Sequence, residues 1–208
     1  MEILSLVMSE VLEVLFGSKS KVRVLRFFLL NAEGEYAIDE IAKKNMLTLA
    51  AVRKEINALK KIGLIREKNK KGKKVYQLNQ QFHFSSELRS LFSRSTASPE
   101  SKTLLRLKTV GDVKLALISG IFLDHPKSKV DLVLVVNNVN RSKLKNVMNT
   151  LEAEIGKEVS FALMNSDEFK YRLDMLDRFL LDFLAGPHTE LVDKIPGLKR
   201  FILGLKKY

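Results

Sequence analysis

The chain has 208 residues, 46% of them hydrophobic, with no cysteine and 36 Lys and Arg against 24 Asp and Glu, a formal net charge of +12. That length allows one large domain or two small ones, and the lack of cysteine excludes disulfides and thiolate metal sites. Residues 1–95 hold 18 Lys and Arg against 10 Asp and Glu, and residues 96–208 hold 18 against 14, so the first half is the expected binder of a polyanion.

The opening stretch, MEILSLVMSEVLEVLFG, carries Glu2, Glu10 and Glu13. It has no basic leader and no run of about 20 apolar residues, which argues against a signal peptide or a membrane span. An amphipathic helix over residues 1–17 is expected, able to pack on a second copy. A reducing, cytoplasmic setting fits the cysteine-free composition.

From Ser18 the pattern turns helical: Ser18 can cap KSKVRVLRFFLLN, with Val22, Leu25, Phe28 and Leu29 at helical spacing. NAEGEY breaks it at Gly34, and a short helix, AIDEIAKKN, follows with Ile38 and Ile41 on one face. NML makes a tight connection in which Asn45 is the residue that tolerates a left-handed conformation. Thr48 can cap the next helix, LAAVRKEINALKKIG, whose apolar stripe is Leu49, Val52, Ile56 and Leu59 and which stops at Gly63. Its outward positions are Ala50, Ala51, Arg53, Lys54, Asn57, Lys60 and Lys61. Small residues at the front allow close approach to base edges, and Arg and Asn suit bidentate base contacts. LIREKNKKGKKVYQLN then reads as a hairpin with Gly72 at its tip, and Arg66 to Lys74 contains six basic residues and one acid.

The order short helix, tight turn, amphipathic helix, GLI, basic hairpin resembles the winged helix–turn–helix regulators that bind duplex DNA, over roughly residues 16–80. The resemblance implies that the helix from Thr48 to Ile62 enters the major groove while the hairpin lies along the phosphates. The candidate DNA-binding set is Ser18, Lys19 and Lys21 at the first helix; Thr48, Ala50, Ala51, Arg53, Lys54, Asn57, Lys60 and Lys61 on the second helix of the motif; and Arg66, Lys68, Lys70, Lys71, Lys73 and Lys74 on the hairpin.

Beyond residue 80 the character changes. Ser85 or Ser86 can cap a short helix carrying Leu88, Leu91 and Phe92, and the polar SRSTASPES is the expected joint between domains. TLLRLK reads as helix, VKLALISGIF as a strand ending near Gly120, and KVDLVLVV as a second strand. SKLKNVMNTLEAEIG reads as a helix capped by Ser142 and closed by Gly156, and EVSFALM as a third strand. SDEFKYRLDMLDRFLLDFLAG reads as one long helix from Ser166 to Gly186. IPGLKRFILGLKKY is a candidate terminal helix. The alternation predicts a small domain with a mixed sheet and helices against it.

The order strand, Gly, loop, Asp, strand, helix, strand, helix resembles the minimal nucleotidyltransferase domain. That family ends its first strand with a Gly-Ser pair on a nucleotide phosphate, opens its second with an Asp-x-Asp pair for two divalent metals, and places a third acid on the next strand. The chain keeps Gly120 and Asp131 but has Ile121 for the Ser, Lys129 for the first Asp and Ser160 for the third acid; Glu158 is the nearest carboxylate. A lysine there repels a cation: two unit charges about 4 Å apart cost roughly 4 kcal/mol at an effective dielectric near 20. The resemblance therefore implies a domain that is not an enzyme and holds neither metal nor cofactor, with Asp131 structural, capping a turn or pairing with Lys129 or Lys127. Gly120, Ile121, Lys127, Lys129 and Asp131 mark a relic nucleotide pocket, whose lysines make a nucleotide or another anionic effector a candidate ligand. His125 lies in the same loop; His83 and His188 read as packed or surface residues.

The expected architecture is a two-domain α+β and α/β chain. It comprises an N-terminal helix (1–17), a winged helix–turn–helix (18–80), a connector (81–102) and a nucleotidyltransferase-like domain (103–208). The expected function is a dimeric regulator that binds double-stranded DNA and not membranes. Two alternatives come from other classes: an active metal-dependent nucleotidyltransferase guided by its winged helix, and an antitoxin-like protein-interaction module.

Overall fold

The computed structural model describes residues 11–94 and 102–205. Most of the expected joint, residues 95–101, and the first ten residues of the N-terminal helix lie outside the described residues; residues 11–16 are helical. The protein is a mixed α and β chain that divides into two units, residues 1–97 with 149–158, and residues 98–148 with 159–208. Among the described residues no helix is long and apolar enough to cross a membrane.

In the first unit, α1 (Lys19–Leu30) starts at Ser18, whose hydroxyl accepts the Lys21 N–H at 3.0 Å and so satisfies one of the free amides of the first turn. A two-residue strand, β1 (Tyr36–Ala37), leads into α2 (Ile38–Lys44) and then α3 (Leu49–Lys61). The antiparallel hairpin of β2 (Ile65–Lys70) and β3 (Lys73–Leu78) completes a sheet of order β1-β3-β2. β1 was not legible in NAEGEY, because two residues carry no alternation. The tip of the hairpin is Lys71 and Gly72, with φ of 49° and 77°, the left-handed pair of a tight two-residue turn. A further helix, α4 (Ser85–Arg94), buries Phe92 at a ring distance of 5.5 Å from Phe16. The core is built on Phe28, Ile41, Ile56, Leu64 and Phe92.

Two local expectations are corrected here. The left-handed residue between α2 and α3 is Met46 (φ 51°), not Asn45. Asn45 is fully buried and its amide donates to the Ile41 carbonyl at 2.8 Å. That bond holds it in helical geometry, and the reversal passes to the next residue. Leu49, expected in the apolar stripe of α3, is exposed, whereas Glu55 is buried and accepts the Ser18 hydroxyl at 3.0 Å.

In the second unit, α5 (Lys102–Leu105) runs into a 3-10 turn at Arg106–Thr109. A four-stranded sheet of order β6-β5-β4-β7 then combines β4 (Asp112–Ile118), β5 (Leu132–Asn137), β6 (Phe161–Met164) and β7 (Thr189–Asp193). β5 pairs antiparallel with β4 and parallel with β6. It is an inner strand, and Leu132 through Val136 are all buried, which explains its unbroken apolar run.

The sequence placed several boundaries differently. β4 ends at Ile118, and Gly120–Phe122 forms a 3-10 turn instead of continuing the strand. The helix that follows β5, α6 (Arg141–Ile155), is capped by Asn140, whose carboxamide oxygen accepts the Lys143 N–H at 2.9 Å, not by Ser142. The single long helix expected over 166–186 is two, α7 (Ser166–Asp174) and α8 (Arg178–Ala185). Asn165 caps α7. Leu176 is left-handed (φ 53°), and Asp177 caps α8 by accepting the Leu180 N–H at 3.0 Å. The apolar spacing runs on through this break, so periodicity alone could not detect it. β7 was missed, and α9 (Leu198–Leu205) closes the described chain.

Candidate functional site

The basic face of the first unit is organised by α3. Thr48 caps it, with Oγ1 accepting the Ala51 N–H at 3.2 Å. Burial of Val52, Ile56 and Leu59 fixes the rotation of the helix. Ala50, Arg53, Lys54, Asn57 and Lys61 then share the opposite, exposed face, as their spacing of three and four residues requires. Ala51 and Lys60 are half-buried flanks of that face.

The hairpin's cations are divided between its two faces. Arg66, Lys68 and Lys70 alternate on one side of β2, and Lys73 lies opposite Lys70. Glu67 and Asn69 point the other way, with Lys74 opposite Asn69. Two acids that the sequence reading passed over organise these lysines. Glu35, just ahead of β1, takes Lys68 at 3.0 Å and Lys70 at 2.9 Å. Glu67 takes Lys74 at 2.9 Å and also pairs with Lys60 of α3, which ties the flank of the helix to the hairpin. Hydrogen bonds from the lysines hold both carboxyls below the usual carboxylate range, led by Lys70 at Glu35 and by Lys60 at Glu67. Lys74 is pushed up in turn by its bond to Glu67. Arg66 donates to Gln81 at 3.3 Å. Among the described residues no carboxylate lies within ion-pair distance of Arg53, Lys54, Lys61, Lys71 or Lys73, and all five are exposed. At α1, Lys19 is exposed and Lys21 half-buried, while the Ser18 hydroxyl is engaged by Lys21 and Glu55.

The second unit disposes of its candidate acid differently. Asp131 is 8% exposed. Its Oδ1 accepts the Ile121 N–H at 2.8 Å, and its Oδ2 accepts the Ser160 N–H at 2.9 Å and the Ser160 hydroxyl at 2.7 Å. The Asp131 N–H returns a bond to the Ser160 carbonyl at 2.8 Å. The carboxylate therefore caps the Gly120–Phe122 turn and pins the start of β5 to the residue before β6. Gly120 sits at φ 52° with no room for a side chain, since a Cβ there would collide with the Asp131 carboxylate. Ser160 was read only as a missing acid. The strand alternation that placed it on that face was the signal for its real partner.

The alternative partners expected for Asp131 are engaged or placed elsewhere. Lys129 pairs with Asp182 of α8 at 3.0 Å. Lys127 and Lys129 line, with His125, Ser119 and Asp182, a small cleft of 250 Å³. Ser119 donates to the Pro187 carbonyl at 2.6 Å, and the His188 ring stacks on Phe183 at 6.2 Å. Three donors already occupy most of the roughly four acceptor sites of the Asp131 carboxylate, and among the described residues no group of three or more His, Asp or Glu is placed to hold a metal. Glu158, the nearest carboxylate in the sequence, pairs with Lys44 at 2.7 Å. No family model, no curated protein and no solved structure matches the chain.

Proposed function

We propose that the chain is a transcriptional regulator that binds double-stranded DNA. In this reading the first unit acts as a winged helix–turn–helix, and the nucleotidyltransferase-like second unit is non-catalytic. The single observation that carries it is the exposed face of α3, where Ala50, Arg53, Lys54, Asn57 and Lys61 line up beside a cationic hairpin. A helix with small residues at its front and Arg and Asn along it has the width and donors for the major groove. The hairpin supplies phosphate contacts that set register and most of the affinity. Binding as a homodimer would place two copies of α3 in successive major grooves, about one helical turn of DNA apart.

The absence of catalysis in the second unit is supported by chemistry, not by any vacancy. Two-metal phosphoryl chemistry needs several carboxylates with free oxygens. At the positions concerned, Asp131 has both oxygens occupied and Lys129 contributes a positive charge.

The test is selection of fragments bound by the purified chain from genomic DNA, followed by salt titration of the enriched site. One enriched motif with a two-fold repeat is expected. With about four phosphate contacts per protomer, log Kd should change with log salt with a slope of roughly 3–4 per protomer. No retention of any duplex at low salt would remove the regulator reading and favour a protein-interaction module.

A further inference from the structure

A second cleft lies in the first unit, away from the exposed face of α3. Its volume is 440 Å³, within the range of roughly 300–1,000 Å³ typical of small-molecule sites. One wall is aromatic: Phe27 of α1 and Tyr36 of β1 meet edge to face with ring centroids 4.6 Å apart. The rest of the lining carries both signs, with Lys44 and Lys157 beside Glu152 and Glu158. The floor is held in place by Asn31, whose amide bonds to the Phe27 carbonyl at 2.7 Å and to the Gly156 carbonyl at 2.6 Å.

The lining restricts the ligand. A simple anion drawn to the lysines would also face two carboxylates, and a simple cation would face two lysines. A molecule bearing both charges on adjacent atoms matches both, and an apolar or aromatic substituent would cover the Phe27–Tyr36 wall. We propose that this cleft binds a free α-amino acid with an aromatic or large apolar side chain. The ligand carboxylate takes Lys44 and Lys157, and the released Glu158 takes the ammonium group.

The walls lead directly to the DNA-reading parts. Lys44 is the last residue of α2, one turn ahead of Thr48, and Tyr36 pairs in register with Tyr76 of the hairpin strand β3. Occupancy therefore acts on the α2–α3 turn and on the seating of the hairpin. This effector role rests on the regulator reading; the binding site itself does not.

The test is calorimetric titration of the full chain with L-phenylalanine, L-tyrosine, L-leucine and L-methionine. Phenethylamine and 3-phenylpropionate, each lacking one of the two charges, serve as controls. Saturable binding of at least one amino acid is expected, with both controls weaker by about tenfold or more, the size of one lost charged contact. Lys44→Met and the exposed Lys157→Met should each weaken it while thermal unfolding stays cooperative. No heat with any of the four at about 2 mM, far above the Kd of an ordinary effector, would overturn the site, as would equal binding of the single-charge controls. Uptake by a chain that binds no DNA supports the site and removes the regulator reading. DNA binding by a chain that takes up none of the four overturns the site alone. Where both occur, the amino acid should change the Kd for DNA by about fivefold or more; an unchanged Kd would overturn the effector role.

Discussion

The exposed face of α3 with its hairpin, and the turn around Asp131, are both charged clusters, yet they treat charge in opposite ways. On α3 and the hairpin tip, Arg53, Lys54, Lys61, Lys71 and Lys73 are left in water without a carboxylate partner among the described residues. At the turn, one carboxylate is nearly removed from water and every bond it makes is internal. The first arrangement leaves charge for an external partner. The second consumes it in holding the chain together, because a buried carboxylate without donors would cost several kcal/mol. Counting acids and bases cannot separate the two cases; following each hydrogen bond to its partner does.

The contrast can be broken most sharply at Asp131. Asp131→Ala should cost about 3 kcal/mol, since it strands the Ile121 and Ser160 amides and the Ser160 hydroxyl, and thermal unfolding would report the loss. Arg53→Ala should leave stability within about 0.5 kcal/mol. If both variants unfolded together with the wild type, the internal role assigned to Asp131 would be wrong. Next in size is recognition. Arg53→Ala should weaken an enriched DNA site by about 1–3 kcal/mol, or roughly 5- to 150-fold, and random duplex much less; anisotropy titrations on both duplexes measure the difference. A smaller effect is expected from Lys71→Ala with Lys73→Ala. That pair should weaken all sequences alike and reduce the salt slope by about two.

The smallest effect sharpens the comparison inside the basic region itself. Glu35→Gln releases Lys68 and Lys70, so DNA affinity should rise by roughly twofold to fivefold, in line with the modest strength of exposed pairs. Lysine bonds keep the Glu35 and Glu67 carboxyls below the usual range. Their pairing is therefore fully present above that range and is lost only as pH falls through the lowered values. The gain from Glu35→Gln should consequently be the same at neutral and at mildly acidic pH, and a gain that vanished on mild acidification would argue against the pairs.

Much of the candidate face was legible because it is local. Thr48 as a cap, the burial of Val52, Ile56 and Leu59, and the tip at Gly72 all follow from residues within a few positions of one another. The failures are also instructive. Leu49 fits the helical stripe but falls on the first turn, where it is exposed. The break between α7 and α8 leaves the apolar spacing intact. β1 and β7 are edge strands of two and five residues, too short or too half-buried to alternate clearly.

Spacing and capping chemistry in the chain alone determined where α1, α3, the hairpin and the inner strand β5 form, and which side of α3 faces water. Only the tertiary structure decided which charges remain available. Glu35 reaches Lys68 across 33 positions, and Ser160 reaches Asp131 across 29. Periodicity reports that a position is buried or exposed; it says nothing about which distant group the fold brings within 3 Å. For a charged side chain, that partner is what separates a contact surface from a structural pin.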